Sequence, residues 1–115
     1  MKTTLKFKGL KFVVPIETES FWPYYGICFV GEYAPILSNI KRSDIVLDAG
    51  ANAGIFTLLA SKKAKKIIAV EPDPENFSYL VKIIYLNGVK NVVSIREALS
   101  DYVGKGYLSG KGLSA

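Results

Sequence analysis

With 115 residues the chain has room for one domain, and at 50% hydrophobic and 22% charged it has a globular rather than a disordered composition. The absence of histidine excludes a histidine base or histidine metal site, and the lone Cys28 excludes an intrachain disulfide. The formal charge of +5 comes mostly from lysines spread along the chain, which reads as a solvated surface rather than a dedicated nucleic-acid patch.

Met1 to Lys11 alternates lysine with apolar residues and has no apolar core of the signal-peptide kind. No stretch approaches the ~20 apolar residues of a membrane span, so a cytoplasmic protein without a membrane partner is expected. Leu5 and Phe7, then Leu10, Phe12 and Val14, alternate with polar residues on either side of Lys8-Gly9, which predicts a small β-hairpin. From Pro15 to Pro35 aromatics are dense and periodicity is lost; a loop with one short strand over Ile27 to Val30 is expected, its aromatics packed over a sheet. Residues 1–40 thus read as a hairpin with an aromatic loop, and residues 41–115 as a second unit.

That second unit is better marked. Ile45-Val46-Leu47, ended by Asp48-Ala49-Gly50, predicts a strand buried on both faces. A helix follows from about Ala53 to Lys63, with Ile55, Phe56, Leu58 and Leu59 on its apolar side. Lys62, Lys63, Lys65 and Lys66 mark its end and the entry to the next strand, Lys66 to Val70, which Glu71-Pro72 terminates. In the next helix Asp73 is the predicted N-cap, Pro74 the first helical residue and Glu75 a favourable first-turn charge. Phe77, Leu80, Val81 and Ile84 form its expected inward face, and Asn87-Gly88 its end. A third strand, Asn91 to Ile95, runs into Arg96-Glu97-Ala98. This alternation implies an α/β fold with right-handed crossovers, a parallel sheet and helices on both faces. Beyond it lie a glycine-rich tail and one strand-like piece, Gly106 to Leu108.

Open parallel sheets bind ligands beyond the carboxyl ends of their strands. Three groups fall there: Asp48-Ala49-Gly50-Ala51-Asn52-Ala53-Gly54, Glu71-Pro72 and Glu97-Ala98. Each alone is ordinary, since glycines after a strand are often only a turn and Glu97 reads as a surface charge. In order at successive strand ends, they describe a nucleoside site. Gly50 and Gly54 would let backbone approach a ligand, and the helix starting near Asn52 would aim free N–H groups at a carboxylate. Asp48 would receive an ammonium group, Glu71 the ribose hydroxyls, and Glu97 the adenine amino group. Asn52 stands where the dinucleotide fingerprint needs its second glycine, and no phosphate-cradling loop is present, so the ligand tail is expected to be an amino acid.

The segments Val46 to Thr57, Ala69 to Phe77 and Glu97 to Asp101 resemble the FkbM-type methyltransferases, over roughly Glu32 to Leu108. The resemblance implies a Rossmann-like class I methyltransferase fold, S-adenosyl-L-methionine as cofactor and O-methylation as the activity. It places Asp48, Gly50, Ala51, Asn52 and Gly54 at the methionine end, with Ala49 in the same segment. Glu71 falls on the ribose, Pro72 beside the adenine, Glu97 and Ala98 at the adenine edge, and Glu32 near the cofactor. Such proteins continue with further strands and a K-x-D-x-E-G-like segment, which does not occur before Ala115. The chain therefore reads as a cofactor-binding half without its acceptor side, no catalytic residue is assigned, and no metal is expected. Its first strand becomes an apolar edge through which copies could associate. The alternatives are a methyltransferase of RNA or protein, suggested by the net charge, and a nucleoside-binding module without catalysis.

Overall fold

The computed structural model describes residues 2–7, 9–15 and 33–99. The expected strand at Ile27 to Val30, the aromatics before it and the piece at Gly106 to Leu108 lie outside them. Strand β1 (Lys2–Phe7) pairs antiparallel with β2 (Leu10–Pro15), Phe7 opposite Leu10, with a turn at Gly9 as predicted. Gly9 sits at φ +77°, a left-handed position that glycine occupies without steric penalty. One unanticipated turn of helix, α1 (Ala34–Leu37), opens with Pro35 in its first turn.

Strands β3 (Ile45–Ala49), β4 (Lys66–Val70) and β5 (Val92–Ile95) form a parallel sheet in that order, joined by helices α2 (Ile55–Ser61) and α3 (Pro74–Leu86). The register sets Asp48 opposite Ala69, and Ala69 opposite Ser94. With sequential strand order and right-handed crossovers, α2 and α3 lie on the same side. There Ala60 and Leu80 pack with Val46, Ile67, Ala69 and Val92 of the sheet. The other face is open at β3, where Ile45 and Leu47 are 61% and 59% exposed. The α/β architecture is as predicted, but burial of β3 on both faces is not met, because among the described residues its helices cover one face only.

Helix α2 starts two residues later than predicted because Gly54, its N-cap, is left-handed at φ +90°. Helix α3 has the predicted start: Asp73 caps it by accepting from Asn76 N–H at 2.9 Å, with Pro74 following. Its inward face is rotated, however. Asn76, Tyr79, Leu80 and Ile83 are buried, Phe77 and Ile84 flank them, and Val81 is exposed. Leu80 and Ile83 are drawn against the start of α2, while β2 runs along the same helix, so long-range packing sets the face.

Asn87, just past α3, fastens the hairpin. Its Oδ1 accepts from Lys11 N–H at 2.8 Å, and its Nδ2 donates to Lys11 O and to Ile83 O, each at 2.7 Å. One side chain thus completes the edge of β2 and closes a helical carbonyl. Asn87→Ala is expected to destabilise the fold by about 1–2 kcal/mol, the scale of a few partly exposed hydrogen bonds. Denaturant titration checks this, and an unmoved midpoint would show that the bonds contribute nothing.

Candidate functional site

The tips of β3 and β4 are closed by backbone. Gly50 and Ala51 both donate their N–H to Val70 O, at 2.8 and 3.0 Å, which folds the chain back over the sheet end. Gly50 is at φ +71°, and a Cβ there would meet nothing within 4 Å, so its outer side is open to a ligand. Asn52 is left-handed at φ +52°, and its N–H donates to Glu71 Oε1 at 2.7 Å. The second oxygen of Glu71 accepts from Asp73 N–H at 2.9 Å, and the Glu71 N–H donates to Ile95 O at 3.0 Å. Glu71 is only 2% exposed. It therefore bridges the loop after β3, the start of α3 and the end of β5.

Gly54 differs from Gly50. A Cβ at Gly54 would lie 2.6 Å from Leu80 Cδ1 and 3.1 Å from Leu80 Cα. Its bare backbone makes room for α3, so close helix packing accounts for this glycine. Ala51 and Ala53 are likewise buried beneath the loop.

Asp48 ends β3 half-buried and accepts a hydrogen bond from the hydroxyl of Thr57, which is itself fully buried on α2. Burial raises the Asp48 pKa above its ordinary 3.8; the Thr57 bond opposes that rise and the nearby Glu71 charge adds to it. None of these influences is a cation. An acid whose pKa is raised by folding binds its proton more tightly folded than unfolded. Its contribution to stability therefore falls as pH rises from about its ordinary value through the raised one. Burial disfavours the charged form of Asp48, and a cationic ligand group would stabilise that form. Asp48→Asn is accordingly expected to raise the melting temperature of the ligand-free protein at pH 7 while lowering its affinity for a cationic ligand on the order of 10–100-fold, the scale of one charge-assisted contact. Differential scanning calorimetry at pH 5 and 7 reads the first effect; a lower melting temperature at pH 7 would contradict it.

The sheet thus brings together Asp48, Gly50, Ala51, Asn52 and Glu71. Ala49 is exposed and Pro72 half-buried at the same edge, and Glu97 and Ala98 are exposed just beyond β5. Glu32 lies outside the described residues. Two contributors escaped the sequence reading: Thr57 and the Asp73 backbone. Thr57 had a usable signal, a hydroxyl within the apolar run of a helix, where it needs a partner. Among the described residues no cluster of histidine, cysteine or acidic side chains is arranged for a metal ion.

The family model of the TRM5/TYW2 methyltransferase domain matches residues 3–107. The chain belongs to this family. A curated TRM5/TYW2 relative, the tRNA (guanine(37)-N(1))-methyltransferase Trm5b of Methanocaldococcus jannaschii, is 34% identical over 91 residues, covering 79% of this chain and 26% of its own length. The tRNA(Phe) (4-demethylwyosine(37)-C(7)) aminocarboxypropyltransferase of the same organism is 32% identical over 94 residues, covering 69% of this chain and 38% of its own length. The crystal structure of M. jannaschii TYW2 in complex with AdoMet superposes with a TM-score of 0.69 at 27% identity, over 82% of this chain and 42% of that one. The chain therefore spans well under half the length of these relatives. The FkbM-type resemblance is corrected by the family match. Its described supporting segments lie around the ends of β3, β4 and β5, so they report the shared fold and not the family.

Proposed function

We propose that this chain is the S-adenosylmethionine-binding part of a tRNA methyltransferase of the Trm5/TYW2 type. The supporting observation is the convergence of Asp48, the open backbone at Gly50 and the buried Glu71 on adjacent strand tips, within a family whose relatives act on tRNA. This replaces the O-methyl expectation and reverses the earlier reading against a nucleic-acid partner.

The chemistry the cofactor supplies is an electrophilic methyl on a sulfonium. The chain's residues hold that donor. Asp48, kept in place by Thr57, offers its remaining acceptor sites to the ammonium group, whose charge offsets the carboxylate. Gly50 allows the backbone to approach the amino-acid tail, with Ala49, Ala51, Asn52 and Gly54 completing the loop. Each oxygen of Glu71 has accepted one backbone N–H and retains a second acceptor site for a ribose hydroxyl. Pro72 lies beside the adenine, with Glu97 and Ala98 at its edge. Among the described residues none is assigned as a general base; the described part of the chain contributes by holding the donor aligned for the acceptor.

A second reading follows from the aminocarboxypropyltransferase relative, because the sulfonium bears that group as well as the methyl. Incubating tRNA transcripts with S-adenosylmethionine labelled in the methyl or in the carboxyl carbon tests both. Methyl label in tRNA with S-adenosylhomocysteine as by-product supports the proposal. Carboxyl label in tRNA with methylthioadenosine as by-product supports the second reading. Calorimetric binding of S-adenosylmethionine with no transfer would leave a binding module, and no binding would overturn all three.

A further inference from the structure

The sheet's two ends carry opposite charge. At its amino end Lys41 and Arg42 precede β3, Lys63, Lys65 and Lys66 lead into β4, and Lys90 precedes β5; all six are exposed. Backbone and side-chain bonds gather these segments into one surface. Lys65 and Lys66 donate their N–H to Asp44 O at 2.9 and 3.4 Å, and Ile67 N–H donates to Asn91 O at 2.9 Å. Asn91 Nδ2 then donates to Ser61 O at 2.8 Å and Ala64 O at 3.2 Å. The carboxylate described there is Asp44, which accepts from Lys41 N–H at 2.8 Å. The other described carboxylates (Asp48, Glu71, Asp73, Glu75 and Glu97) lie at the opposite, ligand-facing end, accompanied by Arg96.

Helix-end electrostatics accounts for only part of this grouping, the lysines that follow the α2 C-cap Lys62. Helix α2 has no basic residue in its last turn, and Lys41, Arg42 and Lys90 belong to no helix terminus. Six cations from three separate segments, with one carboxylate among them, give a concentrated positive potential on a face that packs against nothing described.

We infer that this amino-end surface binds the phosphodiester backbone of RNA, as an anchor separate from the strand-tip site. The RNA identity rests on the function proposed above; the polyanion chemistry rests on the charges themselves. Neighbouring strands are ~4.8 Å apart, so the three strand starts span about 10 Å, enough for two or three successive phosphates. The two sheet ends are separated by roughly 17 Å of strand, short compared with an RNA stem, so one RNA can engage both. Such contacts position the RNA and carry no base sequence.

The test compares Lys63→Ala/Lys65→Ala with Lys11→Ala/Lys82→Ala, a pair equal in charge but located on the hairpin and α3. Affinity for a tRNA transcript is measured from 50 to 300 mM salt, and S-adenosylmethionine affinity by calorimetry. The first pair should lower RNA affinity on the order of tenfold at low salt and flatten the log–log salt slope by about 1.5, near 0.7–0.9 per lost phosphate contact. Binding of S-adenosylmethionine and the control pair should match wild type. Equal RNA binding by both pairs, or a wild-type protein that binds S-adenosylmethionine but no RNA, would overturn the anchor while leaving the donor site intact. Failure to bind S-adenosylmethionine with the salt-dependent RNA difference preserved would overturn the proposed function and leave the anchor standing.

Discussion

Glu71→Ala is expected to destabilise the fold and abolish measurable cofactor binding together. The buried carboxylate is the acceptor for two backbone donors, Asn52 N–H and Asp73 N–H. Removing it strands both, at about 1–3 kcal/mol for each donor left without a partner. The first donor fixes the loop after β3 and the second fixes the entry to α3, so the loss reaches two elements. Glu71→Gln separates the roles. A glutamine oxygen serves one donor, but its amide group would face the other N–H as a second donor. The glutamine variant should therefore recover part of the stability and little of the affinity. Thermal unfolding with and without S-adenosylmethionine measures both. If alanine unfolds like wild type, the bridge is energetically idle; if glutamine binds like wild type, the ribose role is mistaken.

Gly54→Ala is the second large effect, and it acts by crowding. The added methyl would sit 2.6 Å from Leu80 Cδ1, 2.9 Å from Ile83 Cδ1 and 3.1 Å from Leu80 Cα, at φ +90°. Side-chain tips can turn away, but Leu80 Cα is backbone, so α3 itself must move. Overpacking of this kind costs about 1–3 kcal/mol, and a left-handed backbone adds roughly 1–2 kcal/mol for a residue with a Cβ. The expected sum is on the order of 2–5 kcal/mol, large beside the marginal stability of a small domain. Gly50→Ala shares the φ penalty but meets no neighbour within 4 Å, so it should unfold at clearly lower denaturant than wild type and clearly higher than Gly54→Ala. Equal midpoints for the two variants would refute the packing account.

The features legible in the sequence are those whose causes are local. Asp73 and Pro74 announced α3 because capping chemistry is written in adjacent residues. The hairpin turn at Gly9 and the β4 boundaries were readable for the same reason. What failed depended on distant partners. Val81 read as core, yet α3 is rotated by its contacts with α2 and β2 and leaves Val81 exposed. Ile45 and Leu47 read as doubly buried because their run is apolar, but the covering of a second face is not encoded in the strand. Glu71 was expected at the end of β4, where the structure places it, but its bridging went unseen, since Asn52 N–H lies nineteen positions away. The family was misread because the recognisable segments border the strand ends of a fold that several methyltransferase families share.

The left-handed backbone at Asn52 bears on how tolerance to substitution at this loop is to be interpreted. Position 52 favours asparagine, aspartate or glycine by its dihedral angle alone, and position 54 admits glycine by the closeness of its neighbour. A mutational survey would find both intolerant and invite their assignment to ligand contact. The architecture of the polypeptide already demands those residues, so positions such as Asp48, where folding alone would prefer a neutral side chain, carry the cleaner signature of selection for binding.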